Sequence, residues 1–328
     1  MAGTNNQPAT AGFSNTSPIE RLNVIVVAGP TAVGKTSLSI ELAQHFGGEI
    51  INADSRYLYR GFDIGVDKPT LAERQGIPHH LIDVLPPTGD MSLARYQDLA
   101  NAAIRDVAAR RRVPILTGGT PLYINAVVEG WQIPRVPPDP DFRARLEVEA
   151  EHDDGASLVR RLREVDPQSA DRCSGNIRRV IRALEVHAAT GIPMSAQEGK
   201  GPRPYETLEI GLFRPRDQLF QIIDGRIDAQ IGRGLVQEVV SLLAAGVPTS
   251  APAMSSIGYR QLLPYLDGAI TLEHAIDRIR SDTHRYVRHQ ETWLRKNPRL
   301  VRVDVSADDW KANILAASAA FLQGKKQE

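Results

Sequence analysis

Gly29-Pro30-Thr31-Ala32-Val33-Gly34-Lys35-Thr36 spells out G-x-x-x-x-G-K-T between an apolar run and a helical stretch. Residues of these types at this spacing bind phosphate. The glycines let successive backbone N–H groups turn toward one anion, and the helix N-terminus behind them adds positive potential. Lys35 supplies a point charge for the terminal phosphates, and the Thr36 hydroxyl is a ligand type for Mg²⁺. The motif specifies a Mg²⁺-complexed diphosphate or triphosphate and leaves the reaction open.

Two further positions belong to the same chemistry. Asp54 follows the strand-like Glu49–Asn52. Three roles stand open for it: a helix N-cap or loop carboxylate, a metal-binding carboxylate, or a general base aimed at an incoming nucleophile. In Gly118-Gly119-Thr120-Pro121, Thr120 reads as an N-cap with Pro121 at the first helical position. That turn also follows a strand, so reach of the Thr120 hydroxyl to a ligand stands open too. Other pairs carry less. Adjacent His79 and His80 point apart and lack zinc-ligand spacing. Asp153-Asp154 has no matching acid at helical spacing and reads as a solvated loop.

The elements that must position these groups alternate along the chain. Val24–Ala28 is a short β-branched run, as a buried parallel strand requires. Helical sequence from about Lys35 to Phe46 follows, then a strand at Glu49–Asn52. A helix over Leu93–Arg112 leads into a strand at Val113–Thr117. Such alternation predicts a parallel sheet whose ligands bind beyond the carboxyl ends of the strands. The fold expected is an α/β, P-loop NTPase-like core formed by 21–137 and 205–328. After a linker marked by Pro134, Pro137, Pro138 and Pro140, residues 138–204 read as a helical insertion. Strand character returns at Glu206–Phe213, with helices expected thereafter. Residues 1–20 are rich in small and polar residues and are expected to be a disordered tail.

Across 328 residues Lys+Arg and Asp+Glu are both 39, so only local clustering can point to a nucleic acid. The insertion concentrates Arg160, Arg161, Arg163, Arg172, Arg178, Arg179 and Arg182. On a helical wheel over 274–302, Ile276, Ile279, Val287 and Leu294 share one face, and Arg278, Arg285, Arg288, Arg295 and Lys296 lie opposite. A face of one sign in a neutral chain favours an RNA or phosphate surface over a solvated helix. A single cysteine, Cys173, rules out an internal disulfide framework. No run approaches a membrane span, and the N-terminus lacks a signal-peptide pattern. A cytoplasmic monomer is expected.

The order of motifs resembles the tRNA dimethylallyltransferases, also called tRNA isopentenyltransferases, from about Val24 to Arg295. The resemblance rests on the P-loop, on Asp54-Ser55 leading to Tyr59–Gly65, and on Pro78-His79-His80. It continues through Gly118–Tyr123, Arg182–Val186 with Thr190–Pro193, Ile257–Arg260 and Gln290–Trp293. It implies transfer of a dimethylallyl group from dimethylallyl diphosphate to N6 of the adenine just 3′ of the anticodon, position 37. The P-loop would then hold the donor diphosphate with Mg²⁺ at Thr36. Asp54 would be the base, with Lys35, Thr120 and Arg226 beside it. Contacts to the tRNA anticodon stem-loop would come from Asp54, Ser55, Arg56, Tyr57, Thr120, Arg143, Arg178, Arg179, Val180, Ile181, Arg182, Ser255, Ser256, Ile257, Gly258, Tyr259 and Arg260. The chain departs from the family pattern at Arg56-Tyr57 for Met-Gln, Val66-Asp67 for Thr-Ala, Ile222 for Arg, and Arg288-His289 for Lys-Arg. Other readings are a prenyltransferase of free adenine nucleotides, a small-metabolite P-loop kinase and a non-catalytic RNA-binding protein.

Overall fold

The computed structural model describes residues 21–173 and 175–324. The tail expected over 1–20 lies outside the described residues. Strand β1 (Leu22–Ala28) is followed by α1 (Lys35–Phe46), β2 (Gly48–Asn52), β3 (His79–His80), α2 (Leu93–Ala109), β4 (Val113–Gly118), α3 (Pro121–Val128) and β5 (Trp131–Gln132). The insertion carries α4 (Pro140–Glu151), α5 (Ala156–Val165), α6 (Pro167–Cys173), α7 (Ile177–Thr190), α8 (Met194–Gln197) and β6 (Gly199–Lys200). The chain returns through β7 (Tyr205–Phe213), α9 (Arg216–Gly232), α10 (Leu235–Ala244), a 3-10 turn (Pro252–Ser255), α11 (Tyr259–Leu266), α12 (Leu272–Lys296), β8 (Val301–Asp304) and α13 (Trp310–Leu322).

Six strands form one sheet in the order β3-β2-β4-β1-β7-β8, and every pairing in it is parallel. The central strand β1 is buried on both faces from Val24 to Ala28, which is why its sequence is a continuous apolar run. This is the expected P-loop NTPase-like arrangement. The insertion has a small core of its own, built from Leu146, Leu158, Leu162, Val180, Ile181 and Leu184. Its β6 pairs antiparallel with β5 of the main body. Among the described residues, no helix is long and apolar enough to cross a membrane.

Two expectations are corrected. Helices do not fill the chain after β7, because Val301–Asp304 adds an edge strand parallel to β7. The alternation of Val301 and Val303 with charged residues is its signature. The helix expected over Leu93–Arg112 stops at Ala109, since Arg111 turns into the left-handed region (φ 55°) to start the descent into β4. His79-His80 is the edge strand β3, and His80 Nε2 lies 2.7 Å from a carboxylate oxygen of Glu49.

Candidate active site at the carboxyl ends of the strands

The P-loop leaves β1 through Gly29. A Cβ there would stand 2.8 Å from Val33 and 3.0 Å from the Leu212 carbonyl oxygen, so the close approach of β7 requires glycine. Ala32 (φ 62°) and Gly34 (φ 103°) are left-handed, and this curls the backbone before α1. Lys35 folds back so that its ammonium donates to the Pro30 carbonyl at 2.7 Å. Burial lowers its pKa from 10.5 to about 8; nearby Asp54 opposes the shift and Arg226 adds to it.

Asp54 and Thr120 are brought together by the ends of β2 and β4. Ala53 donates to Thr117 O at 2.7 Å, and Thr120 donates to Ala53 O at 3.1 Å. A Cβ on Gly118 would sit 2.1 Å from the Ala53 carbonyl carbon, so only glycine permits this crossing. No helix follows Asp54, which overturns the N-cap alternative. Its Oδ1 instead accepts the backbone N–H of Arg56 at 2.9 Å, and Asn52 fixes its own N–H at 2.8 Å. Thr120 does stand at the N-cap of α3 with Pro121 at N1, but its hydroxyl makes no capping bond. The oxygen accepts the N–H of Ser55 at 3.0 Å and the hydroxyl lies 3.3 Å from that of Ser55.

The three loops converge over Gly119. A Cβ built there would lie 3.3 Å from Asp54 Oδ2, 3.7 Å from Lys35 Nζ and 2.8 Å from Gln290 Nε2. A carboxylate, an ammonium and an amide thus face one small volume. They line a cavity of about 490 Å³ together with Thr31, Ser55, Arg226, Ser255, Tyr286 and Arg260. Arg226 comes from α9, with Nη1 at 3.5 Å from the Thr31 hydroxyl. Arg56 reaches across to the Pro252 carbonyl at 3.1 Å. Gln290 and Tyr286 of α12 line the cavity and bond the Gly119 carbonyl, and reading for chemistry did not select them. Gln290 lay within a recognised motif, yet an amide gives no sign of the loops it joins.

Not every residue named from the resemblance reaches a surface. Val180 and Ile181 are buried, with 0% and 2% of their surface exposed, in the core of the insertion, and Tyr259 is fully buried. Their side chains support contacts instead of making them. The Tyr259 hydroxyl donates to Glu238 at 2.5 Å, and Glu238 in turn accepts N–H groups of Asp63 and Ile64. Ser256 is buried and bonded to Ala253 O. The turn Gly258 precedes α11 with φ 100°, and Ile257 is partly buried. Arg143 and Arg182 both bind the buried Glu185, Arg143 through two bonds of 2.8 Å and Arg182 through one of 2.5 Å. Arg178 and Arg179 are exposed on the first turn of α7. The Tyr57 hydroxyl is turned to the Asp67 carbonyl at 2.9 Å, and burial pushes its pKa up. Asp153 accepts the N–H of Ser157 at 2.8 Å, and Asp153 and Asp154 are both exposed, as a solvated loop requires.

A match to the family model described as IPP transferase covers residues 57–297. The chain belongs to this family. It is 53% identical over 292 residues to a tRNA dimethylallyltransferase of Thermomicrobium roseum, a span of 89% of either chain. A protein of the same name from Roseiflexus castenholzii is 51% identical over 287 residues, covering 87% of this chain and 94% of the relative. The fold is similar to a tRNA isopentenylpyrophosphate transferase of Bacillus halodurans (TM-score 0.70, 37% identity, 92% and 97% covered). It is also similar to a eukaryotic dimethylallyltransferase solved acting on tRNA (TM-score 0.78, 30% identity, 94% and 81% covered). The match to the family model begins after the P-loop and Asp54.

Proposed function

We infer that this IPP transferase family member is a tRNA dimethylallyltransferase: it moves a dimethylallyl group onto N6 of the adenosine next to the anticodon, position 37. The observation that carries the chemistry is the meeting of Asp54, Lys35 and the P-loop over Gly119. Dimethylallyl diphosphate is the donor, with its diphosphate in the P-loop against Lys35, Arg226 and the backbone N–H groups. Among the described residues no group of three or more His, Cys, Asp or Glu side chains is placed to hold a metal. Mg²⁺ would be carried chiefly by phosphate oxygens and water, with the Thr36 hydroxyl as the protein ligand type. When bound, the ion supplies positive charge to the leaving diphosphate.

The chain's own groups do the rest. Breaking the donor C1–O bond leaves an allylic cation and a diphosphate, whose growing charge Lys35 and Arg226 stabilise. The adenine amine is a weak nucleophile because its lone pair is delocalised. As N6 bonds to C1 it becomes more acidic, and Asp54 Oδ2 accepts its proton. Oδ1 stays fixed by the Arg56 N–H, so the carboxylate is held in one orientation. The adenine must leave the anticodon-loop stack to reach this point. Exposed Arg178 and Arg179, with Arg56 and Arg260 at the cavity, meet the RNA backbone. The enzyme works as a cytoplasmic monomer on this reading. Mass spectrometry of tRNA nucleosides after incubation with dimethylallyl diphosphate and Mg²⁺ tests it. A product heavier by one dimethylallyl group at position 37, absent without the donor, is expected; unmodified tRNA would refute it.

A further inference from the structure

Asp67 stands where the family pattern has Ala, and the structure gives it two arginines. Its Oδ2 lies 2.7 Å from Arg226 Nη2 and its Oδ1 lies 2.6 Å from Arg233 Nη2. Arg226 and Arg233 are seven residues apart, two turns, and so share one side of α9 and its C-terminal end. Arg226 therefore has one edge committed to Asp67, while its Nη1 faces the P-loop hydroxyl of Thr31. A guanidinium is planar with five donors, so fixing one edge fixes the direction of the others.

The carboxylate itself has little freedom. Asp67 is left-handed (φ 55°), and its N–H donates to Ile64 O at 3.1 Å. Its carbonyl accepts the Tyr57 hydroxyl at 2.9 Å, and Tyr57 is another position that departs from the family pattern. The next residue, Lys68, has a buried side chain that ties this loop to Asp63 (2.5 Å), Asp83 (2.6 Å) and Tyr59 O (2.7 Å). Arg233 occupies the second carboxylate oxygen, so the carboxylate plane cannot rotate without breaking an ion pair.

We propose that Asp67 is a positioning residue that holds the Arg226 guanidinium edge-on to the P-loop, ready for the oxygens of the donor diphosphate. The proposal rests on the diphosphate reading of the P-loop given above. Asp67 does not touch the donor; its effect passes through Arg226, and Arg233 acts one step further back.

A double-mutant cycle tests this. Asn tolerates the left-handed region well, so Asp67→Asn removes the charge and leaves the turn. With tRNA saturating, Asp67→Asn should lower kcat/KM for dimethylallyl diphosphate by about 10–100-fold, the scale of a misplaced contact group. KM for tRNA should stay within about twofold, the resolution of such a cycle. In the Arg226→Gln background the same change should add less than about twofold, because the group it positions is gone. Asp67→Glu, which keeps the charge, should retain more activity than Asp67→Asn. Full multiplication of the two losses, or an inert Asp67→Asn beside an impaired Arg226→Gln, overturns the proposal and leaves the diphosphate reading intact. An inert Arg226→Gln overturns both the role of Arg226 and the proposal. Thermal melts of each variant identify any loss that comes from unfolding.

Discussion

The side-chain oxygen of Gln290 accepts the backbone N–H of Thr31 at 3.1 Å, although 259 residues separate them. The same amide donates to the Gly119 carbonyl at 2.7 Å. One buried side chain of α12 thus ties the P-loop to the turn after β4, and both loops are held in register over the cavity. Gln290→Ala would leave the part-buried Thr31 N–H unpaired and take the shorter of two donors from the buried Gly119 carbonyl, which keeps the Tyr286 hydroxyl at 3.3 Å. Such a loss costs about 1–3 kcal/mol of stability. Donor KM should rise more than tRNA KM, because the P-loop is the element released. Gln290→Glu keeps the acceptor for Thr31 but cannot donate to Gly119 when ionised, and it places a negative charge beside the phosphate site. It should therefore harm donor binding more than Gln290→Ala while harming stability less. Urea melts and donor titrations of both variants check the order; equal donor affinity in all three proteins would contradict it.

Lys35 gives the site a pH signature. Burial places its pKa near 8 in the folded chain against 10.5 for an ordinary lysine. Between those values the unfolded chain binds more protons than the folded one, so the penalty of burying the ammonium is relieved as pH rises from about 8 to 10.5. Donor capture has the opposite sense. It needs the charged amine, so kcat/KM for dimethylallyl diphosphate should fall as pH rises through about 8. Lys35→Arg stays charged over this range and should lose the alkaline limb whatever its absolute rate. Lys35→Ala should lose most turnover with tRNA binding little changed. A limb that persists in Lys35→Arg would assign it to another group.

Local chemistry was legible where it is written in neighbouring residues. The P-loop, the buried β1 and the turn after β4 each carry their signal within about ten positions. So does the apolar face of α12, where Ile279, Val287 and Leu294 are buried and Ile276 is partly buried. Partnerships across the fold have no such signature. Glu185 absorbs two arginines that resemblance had given to RNA, and nothing in its sequence context distinguishes it from a solvated glutamate. Gln290 and Asp67 are similar cases, since each acts on residues more than 150 positions away. The choice among roles for Asp54 narrowed for a local reason: without a following helix there is nothing for it to cap.

The basic side of α12 is not one surface. Arg285 lines the large cavity, whereas Arg295 lies beside Pro30, Arg214 and Arg302 in a separate basin. Ten residues put them about 15 Å apart along the helix. Arg285, Arg288 and Arg295 are exposed, so each can meet a different phosphate of an RNA laid along the helix. Neutralising any one to Gln should reduce the slope of log affinity against log salt by about 1 for an anticodon stem-loop. Donor binding should be unaffected. An unchanged slope in the triple variant would mean that the helix simply faces water.

Asp54 separates two chemical roles that its position alone leaves in competition. As the general base its Oδ2 must come within about 2.6–3.2 Å of the adenine N6 in the productive complex. Asp54→Asn keeps the shape and the acceptor for the Arg56 N–H, so the turn after β2 should survive. It cannot accept the proton, and the chemical step should slow by about 10²–10⁴-fold. Binding of tRNA and donor should change much less. If Asp54 instead holds the metal, the same change should raise the Mg²⁺ requirement, and high Mg²⁺ should restore part of the rate. The neighbouring Lys35 offers a second reading of the same variant. Asp54 is a cause that raises the Lys35 pKa, so its neutralisation should move the alkaline limb of donor capture to lower pH. Single-turnover transfer across a Mg²⁺ series, with a pH profile of kcat/KM alongside, reports both effects. A slow chemical step that Mg²⁺ leaves unchanged, joined to a shifted limb, is expected of a base beside the phosphate lysine; rescue by Mg²⁺ would move Asp54 to the metal.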